Sequence, residues 1–298
     1  MSRPVIIEAA INGVTPQAKN ANVPITPAEI AADAIACLDA GASIVHNHVD
    51  QIMVPGPVAA ARYLEGWRPV LAERPDALLY PTANAGTTVE ESYSHIEPLV
   101  EACGMRIGLC DPGSVNLGAL DHDGIPRGGI VYRNSHDDAA YQMELCRRLG
   151  LGPQLAIFEP GFLRAALAWW TAGAMAPGAM VKLYFGGDSG YLGGTGRGAP
   201  FGLPPSAAAL AAYLELLDGC DLPWSAAVLG GDLTADAPFV AAVLGAGGHL
   251  HVGLEDHDGE RTPTNAELVA EAVAQIEAAG MHPATPAETV DLLGLPTS

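Results

Sequence analysis

The amino-acid sequence predicts a (β/α)8 barrel, or TIM barrel, folded as a single domain over residues 1–298. Eight short apolar or β-branched runs alternate with eight segments of helical length, and Pro and Gly clusters separate them. The chain is 49% hydrophobic, which suffices for one large core. No Gly-x-Gly-x-x-Gly run follows the first apolar run, so an open dinucleotide-binding sheet is disfavoured.

The apolar runs predict strands at residues 5–11, 43–48, 78–83, 106–110, 154–159, 180–185, 224–229 and 249–254. Helices are expected from residue 26 onwards and over 57–73, 88–103, 136–149, 161–171, 204–217, 235–244 and 265–279. The run TPAE at 26–29 is a strong helix start, because it offers a Thr cap, an early Pro and a Glu at the third position. Residues 111–134 and 186–204 do not fit the repeat, and we expect both to be long loops on the catalytic face.

Charge and cysteine content limit the classes of function. Lys and Arg number 14 against 34 Asp and Glu, which gives a net charge of −20. Such an acidic surface repels phosphate backbones and anionic lipid, so we expect neither nucleic acid nor membrane as a partner. Five cysteines without a CxxC pair indicate reduced core residues. With no signal-peptide segment and no apolar run of about 18 residues, we expect a soluble, cytoplasmic protein.

Two histidines end the second predicted strand, in the run GASIVHNH at residues 41–48. Side chains alternate along a strand, so His46 and His48 point to the same face. A satisfied polar pair at a strand end is the simpler interpretation, and it would be sufficient for a single histidine. Two imidazoles that converge at the top of a barrel strand favour metal ligation.

Two carboxylates end the eighth predicted strand, in the run HVGLED at residues 251–256. Adjacent side chains on a strand face opposite ways, so at most one of Glu255 and Asp256 is expected to point inward as a ligand. The other is free to act as a base or to orient a partner. Capping of the next turn is the alternative role. Two His and one carboxylate leave metal positions open for substrate, as in catalytic sites.

Other charged residues lie at or inside predicted strands. Glu8 interrupts an apolar strand, and its burial is unfavourable unless a cation or a donor meets it, so it is a candidate substrate-binding residue. Glu159 is either a binding residue for a polar or cationic substrate group or a charge at a helix N-terminus. Lys182 is a candidate for a Schiff-base or carbamylated lysine, or the partner of an acid.

Anion recognition is weakly indicated. The glycine-rich segment with Arg197 and the turn at Gly113 and Ser114 offer backbone N–H groups to an anion. Neither matches the P-loop pattern, and glycine-rich lids that bind no phosphate are the commoner case.

Several runs together resemble the β-keto acid cleavage enzymes, the group named after 3-keto-5-aminohexanoate cleavage enzyme. They span nearly the whole chain, in the order VPITPAEI (23–30), AGA (40–42), HNH (46–48), PGSVN (112–116), VGLED (252–256), TN (264–265), TPAE (285–288) and LLGL (292–295). The resemblance implies a zinc-bearing barrel, usually a homo-oligomer such as a dimer or tetramer. It also implies conversion of a small β-keto acid and acetyl-CoA to acetoacetate and a new acyl-CoA, a coenzyme A thioester.

Residue roles follow from the resemblance by position. His46, His48 and Glu255 are implied to hold one zinc ion per chain, and Asp256 matches the general base. Open coordination positions suit Claisen and retro-Claisen chemistry, because a metal there can stabilise an enolate.

The resemblance also implies a substrate site. Glu159 matches a position that reads the distal group of the substrate. Ser114 and Asn84 fall near the positions that bind the substrate carboxylate.

The chain departs from the family at a catalytic position. His251 stands where the family has an arginine that partners the catalytic aspartate, and histidine lacks the bidentate fork of arginine. The run PTANAG at 81–86 replaces a Thr-Thr-Gly-Gly turn, and Asp50 stands where arginine is frequent. His251 is therefore a candidate catalytic residue, either a proton shuttle beside Asp256 or the mark of a different lyase or hydrolase reaction at the same metal.

Two further functions remain open at the level of sequence. A metal hydrolase of amidohydrolase type also uses a His-x-His pair in a barrel, normally on the first strand and with a bridging lysine in binuclear sites. A non-catalytic sensor would bind a keto acid without turnover.

Overall fold

The computed structural model describes residues 2–50, 54–189, 198–199 and 201–296. These residues form strands β1 (Pro4–Val5), β2 (Ile7–Ala10), β3 (Ile44–Asn47), β4 (Leu78–Pro81), β5 (Ile107–Cys110), β6 (Val115–Leu120), β7 (Pro126–Tyr132), β8 (Gly152–Ile157), β9 (Met180–Gly186), β10 (Gly198–Ala199), β11 (Trp224–Leu229), β12 (His249–Val252) and β13 (His282–Pro283). The helices are α1 (Pro27–Ala40), α2 (Gly56–Glu73), α3 (Val89–Ser92), α4 (Ile96–Cys103), α5 (His136–Leu149), α6 (Pro160–Thr171), α7 (Ala207–Leu216), α8 (Ala237–Gly245), α9 (Asn265–Ala278) and α10 (Pro286–Leu293).

Eight parallel strands form a nearly closed barrel with helices between them. Their order around the barrel is β4-β3-β2-β12-β11-β9-β8-β5. Among the described residues no hydrogen-bonded ladder joins the two end strands, β4 and β5. The predicted (β/α)8 barrel is therefore confirmed, and every predicted barrel strand has a counterpart within a few residues.

The helix starts follow from short polar signals. Thr26 accepts a hydrogen bond from the backbone of Glu29, and the Glu29 side chain accepts from the backbone of Thr26. This reciprocal capping box satisfies donors that the first helical turn leaves free. The same box begins α5, α9 and α10. Local sequence thus sets where these four helices begin, whereas α2, α4 and α6 begin without a side-chain cap.

The strand register decides which side chains enter the barrel. Residues paired across parallel strands point to the same face. His46 pairs with Tyr80, Leu109 with Gln154 and Ala156 with Lys182. The polar members of these pairs therefore share the barrel interior with Leu, Ile and Val side chains. Those apolar side chains form one continuous buried cluster among the described residues.

The predicted loop at residues 111–134 is a β-hairpin, so that expectation was wrong. Strands β6 and β7 pair antiparallel, and β10 adds to the free edge of β6. The turn between β6 and β7 is stabilised by Asp121, whose Oδ1 accepts from the backbone N–H groups of Asp123 (3.0 Å) and Ile125 (2.9 Å). Gly124 adopts φ +78° there. The run DHDG at 121–124 was a turn signal that the loop interpretation overlooked.

The predicted helix at 88–103 is two helices, α3 and α4. Between them Tyr93 and His95 turn inward and are buried. The Nε2 atom of His95 lies 2.8 Å from the carbonyl oxygen of Thr82, just past β4. His95, which lies between the two helices, thus connects this segment to the C-terminal end of β4.

Two other expectations from the sequence concern the glycine-rich segment and the cysteines. Arg197 and most of the glycine-rich part of the predicted loop at 186–204 lie outside the described residues. All five cysteines are free, as expected. No helix among the described residues combines the length and apolar character needed to cross a bilayer.

We expect the β6–β7 hairpin to mediate self-association. Strand β7 is an edge strand, and Ile130 and Val131 on it are 53% and 62% exposed. Exposed apolar edge strands are typical of contact surfaces. Ile130→Lys combined with Val131→Lys should lower the oligomer mass measured by light scattering. Val58→Lys, at an exposed valine on α2, is the matched control; a monomeric wild-type protein would contradict the prediction.

Candidate active site

A cavity of about 480 Å³ opens over the C-terminal ends of the barrel strands. Its lining comes from the ends of β3, β4, β5, β8 and β9, from the turn after β12 and from the β6–β7 hairpin. This is the face on which (β/α)8 barrels carry their active sites. Four of the acidic and imidazole residues singled out in the sequence line this cavity: His46, His48, Glu255 and Asp256.

His46, His48 and Glu255 converge at one side of the cavity. His46 Nε2 lies 3.4 Å from Glu255 Oε2, and His48 Nε2 lies 3.2 Å from Glu255 Oε1. All three ligand atoms are within 4.8 Å of one another. Zinc bonds of about 2.0–2.1 Å place tetrahedral ligands roughly 3.4 Å apart. Buried His48 Nε2 and Glu255 Oε2 have no hydrogen-bond partner among the described residues. The donor set therefore fits a divalent cation.

The electrostatics of the same residues suit metal binding. Burial lowers the pKa of His46 to about 3, so the imidazole is neutral. Burial opposes ionisation of Glu255, yet the imidazoles of His48 and His46 hold the pKa of this carboxyl below its ordinary value. Neutral imidazole and ionised carboxylate are the forms that ligate metals.

A turn after β12, rather than the strand itself, carries Glu255 and Asp256. Gly253 has φ +142°, and a Cβ atom there would lie 2.0 Å from the carbonyl oxygen of Ala10. The N–H of Glu255 donates to that oxygen at 3.1 Å, and the N–H of Gly230 donates to the carbonyl of Asp256 at 2.8 Å. The expectation that strand alternation separates the two carboxylates was therefore wrong, because both side chains line the cavity.

His251 lies between two buried carboxylates. Its Nε2 is 3.1 Å from Asp256 Oδ2, and its Nδ1 is 3.5 Å from Glu8 Oε1. Burial raises the pKa of Asp256, although the His251 imidazole opposes the rise. The structure thus places His251, the candidate catalytic residue of the sequence analysis, beside Asp256, the candidate base.

Glu8 meets the cation that its burial requires. Its Oε1 accepts from Lys182 Nζ at 2.9 Å and from the Tyr80 hydroxyl, and Lys182 Nζ also donates to the Tyr80 oxygen at 2.6 Å. Although burial alone would raise it, the pKa of Glu8 is lowered to about 2 by Lys182 and His251. Ionised Glu8 therefore stabilises the fold above its ordinary pKa of 4.5, and this contribution is lost as pH falls towards 2.

Glu8, a candidate substrate-binding residue, is not in the described lining of the cavity, and the other three candidates, Asn84, Glu159 and Ser114, lie in different surroundings. Asn84 lines the cavity, and neither of its amide atoms has a hydrogen-bond partner among the described residues. Glu159 precedes α6, and its Oε1 accepts from the N–H of Gly202 at 2.9 Å. Ser114 is exposed and bonds the backbone of Asn134 at 3.0 Å. Of the three, the structure brings only Asn84 into the described cavity lining.

Sequence reasoning missed Asp111 and Gln154, which both line the cavity. Gln154 is 1% exposed and interrupts an apolar strand, which is the signal that drew attention to Glu8. Asp111 directly follows β5, as His48 follows β3. A polar residue at or after an apolar strand was therefore the available signal.

A (β/α)8 barrel with charged groups clustered at the C-terminal ends of its strands is the architecture of a barrel enzyme. The chain belongs to the β-keto acid cleavage enzyme family, whose model matches residues 4–295. The resemblance found in the sequence is therefore confirmed.

Two relatives match at least 94% of the chain. It is 28% identical over 307 residues to the 3-oxoadipate:acetyl-CoA acetyltransferase of Cupriavidus necator, covering 100% of this chain and 97% of that protein. It is 26% identical over 306 residues to the 3-dehydrocarnitine:acetyl-CoA trimethylamine transferase of Rhizobium meliloti, covering 94% and 93%. The structure of ObcA with oxaloacetate superimposes with a TM-score of 0.68 at 17% identity, over 93% of this chain and 68% of that chain, and shows the shared fold.

We expect the Glu8–Lys182 ion pair to be strongly coupled in stability. Lys182→Met leaves the Glu8 carboxylate buried and without its cation, which should lower the free energy of unfolding by about 3–5 kcal/mol. The double variant with Glu8→Leu should recover much of that loss, because it removes both charges together. Urea denaturation of the wild type, both single variants and the double variant measures the coupling; additive losses would contradict it.

Proposed function

We propose that this protein is a zinc-dependent β-keto acid cleavage enzyme, acting as a homo-oligomer in the cytoplasm. It would convert a small β-keto acid and acetyl-CoA to acetoacetate and a new acyl-CoA. The observation that carries the proposal is the convergence of His46, His48 and Glu255 beside Asp256 in the cavity of a chain from this family. Two relatives named for acetyl-CoA support the second substrate.

One zinc ion per chain is proposed, held by His46, His48 and Glu255. Two imidazoles and one carboxylate are ligands that zinc accepts in catalytic sites, where further positions stay open. A bound zinc would supply Lewis acidity towards the keto and carboxylate oxygens of the substrate. Lys182 contacts Glu8 and Tyr80 rather than the imidazoles, which favours a single metal over the binuclear site of an amidohydrolase.

Asp256 is the proposed general base. It would accept a proton from the carbon between the keto and carboxylate groups of the substrate. Its buried position and raised pKa suit a carboxyl that must take up and return a proton. His251, 3.1 Å away, would hold the carboxylate in position.

The remaining steps transfer the acyl group. The deprotonated carbon attacks the thioester carbonyl of acetyl-CoA, forms a carbon–carbon bond and expels the CoA thiolate. The thiolate then attacks the original keto carbon, and the bond between that carbon and the deprotonated carbon breaks. The products are the new acyl-CoA and acetoacetate, and Asp256 returns the proton to the acetoacetate carbon.

A CoA-dependence assay tests the function. Zinc-loaded protein is incubated with a panel of β-keto acids, with and without acetyl-CoA, and products are identified by mass. We expect acetoacetate and a matching acyl-CoA only in the presence of acetyl-CoA. If metal-loaded protein forms neither product with any acid on the panel, the proposal is refuted.

Two variants should distinguish the residue that binds the metal from the residue that transfers the proton. His48→Ala should lose the metal measured by mass spectrometry while retaining its far-ultraviolet circular dichroism. Asp256→Asn should keep the metal and lose turnover by about 10²- to 10⁴-fold, the usual contribution of a general base. The matched control is His122→Ala, which removes an exposed imidazole from the hairpin turn. Full metal content in His48→Ala would exclude this residue as a ligand.

A further inference from the structure

A second cavity, of about 530 Å³, lies at the N-terminal ends of the barrel strands, opposite the candidate active site. Its lining includes Trp67 on α2, Leu78 at the start of β4, Arg106 just before β5 and Val290 on α10, and we call it the basal cavity. It lies where β4 and β5, the two end strands of the barrel order, come together. The two cavities share no residue of their described linings, so the basal cavity is separate from the proposed reaction.

The wall of the basal cavity is mainly apolar. Trp67, Leu78 and Met105 line it and are buried in the core, and Leu71 and Val290 line it and are partly buried. Sites for small molecules are typically concave, with volumes of roughly 300–1,000 Å³, mostly apolar walls and a few polar groups that orient the ligand. The basal cavity has the size and the wall of such a site.

Arg106 supplies a hydrogen-bond donor that the described protein leaves unused. Its Nη2 atom donates to the carbonyl oxygens of Leu295 at 3.3 Å and Pro296 at 2.9 Å, which holds the guanidinium in place. Its Nε atom is buried and has no acceptor among the described residues. A buried donor without an acceptor is unfavourable, most of all on a charged group. Because the basal cavity is the open space beside Arg106, we expect the missing acceptor to come from a ligand.

The charge of Arg106 indicates what kind of acceptor fits. Elsewhere in the protein Arg62 pairs with Asp50 and Arg148 with Glu97. Arg106 contacts only backbone carbonyls in the part of the chain that the structure describes, and it forms no ion pair there. A guanidinium binds a carboxylate more strongly than it binds a neutral acceptor, because the hydrogen bonds are assisted by charge. A carboxylate is therefore the head group that Arg106 favours.

The rim of the basal cavity limits the rest of the ligand. Asp76 and Asp291 line the cavity, and both are exposed. Their negative charges repel a second anionic group on the ligand. The rim thus disfavours dicarboxylates and phosphate esters, whereas an apolar body can pack against the wall at Trp67 and Leu71.

We propose that the basal cavity is a second ligand-binding site, which takes a small monocarboxylate with an apolar body. The carboxylate accepts from Arg106, and the apolar body packs against Trp67 and the neighbouring apolar side chains. The inference goes beyond the proposed function and does not depend on it, because the metal ligands and the candidate base line the other cavity.

A cysteine in the cavity allows binding to be measured at this site alone. Cys103 lines the basal cavity and is partly exposed, and Cys220, equally classed as partly exposed, is absent from its described lining and serves as the matched control. Zinc-loaded protein is treated with iodoacetamide at increasing concentrations of 4-methylpentanoate, and alkylation of each cysteine is followed by peptide mass spectrometry. We expect a saturable loss of alkylation at Cys103 and an unchanged rate at Cys220.

Two analogues of the probe test the choice of head group. The amide 4-methylpentanamide has the same shape as 4-methylpentanoate but no charge, and hexanedioate carries a second carboxylate. From the protection of Cys103 we expect the carboxylate to bind at least about tenfold more tightly than the amide, since it makes charge-assisted hydrogen bonds. Hexanedioate should bind more weakly than 4-methylpentanoate because of Asp76 and Asp291.

Two variants locate the site by different means. Arg106→Gln removes the cation and should abolish the preference for the carboxylate over the amide. Val290→Phe adds bulk to the wall, leaves Arg106 in place and should weaken the binding of both probes. Arg164→Gln, at an exposed arginine on α6 outside the described lining, is the matched control and should protect Cys103 as the wild type does.

Three results would overturn the proposal. They are no protection of Cys103 by 4-methylpentanoate, equal protection by the acid and the amide, and an unchanged preference for the acid in Arg106→Gln. If a variant fails to fold, the comparison of acid and amide on the wild-type protein decides the point. The assay for acyl-CoA reports on the other cavity, so failure of either proposal is distinguishable from failure of the other.

Discussion

The arrangement of this barrel depends on the requirement that every carboxylate buried in its interior be met by a donor or a cation. Glu8 is fully buried and is met by Lys182, Tyr80 and His251, which arrive from three different strands. An uncompensated buried charge would cost several kcal/mol, so these strands must keep their register for the fold to be stable. The contacts of Glu8 with Lys182, Tyr80 and His251 therefore tie β2 to β9, β4 and β12.

The turn after β12 carries the two carboxylates of the candidate active site. Gly253 allows the chain to pass against the carbonyl of Ala10 at a φ that other residues rarely adopt. Two backbone hydrogen bonds then hold the turn on both sides. One runs from the Glu255 N–H to the carbonyl of Ala10, and the other from the Gly230 N–H to the carbonyl of Asp256. As a result Glu255 meets the imidazoles while Asp256 meets His251. Two adjacent residues thereby acquire separate environments, and so the separate roles of metal ligand and base that we propose for them.

His251 links two groups of buried charged residues. An imidazole reaches both Glu8 and Asp256, so it bridges the buried ion pair and the candidate base. Asp111 and Gln154 add further polar groups to the lining of the cavity.

Much of this protein was determined by the sequence alone. Strand and helix order, the capping box at Thr26, and the facing pair His46 and His48 follow from local periodicity and capping, which depend on near neighbours in the chain. The hairpin at 115–132 was also encoded locally, by the turn at Asp121. Only the tertiary structure decided that Lys182 pairs with Glu8, that Asp256 lines the cavity together with Glu255, and that Gln154 also lines it. These facts depend on strand register and on a close backbone approach at Gly253, which involve residues more than 100 positions apart in the sequence. Such contacts are set by the closure of the barrel, so no local pattern can report them.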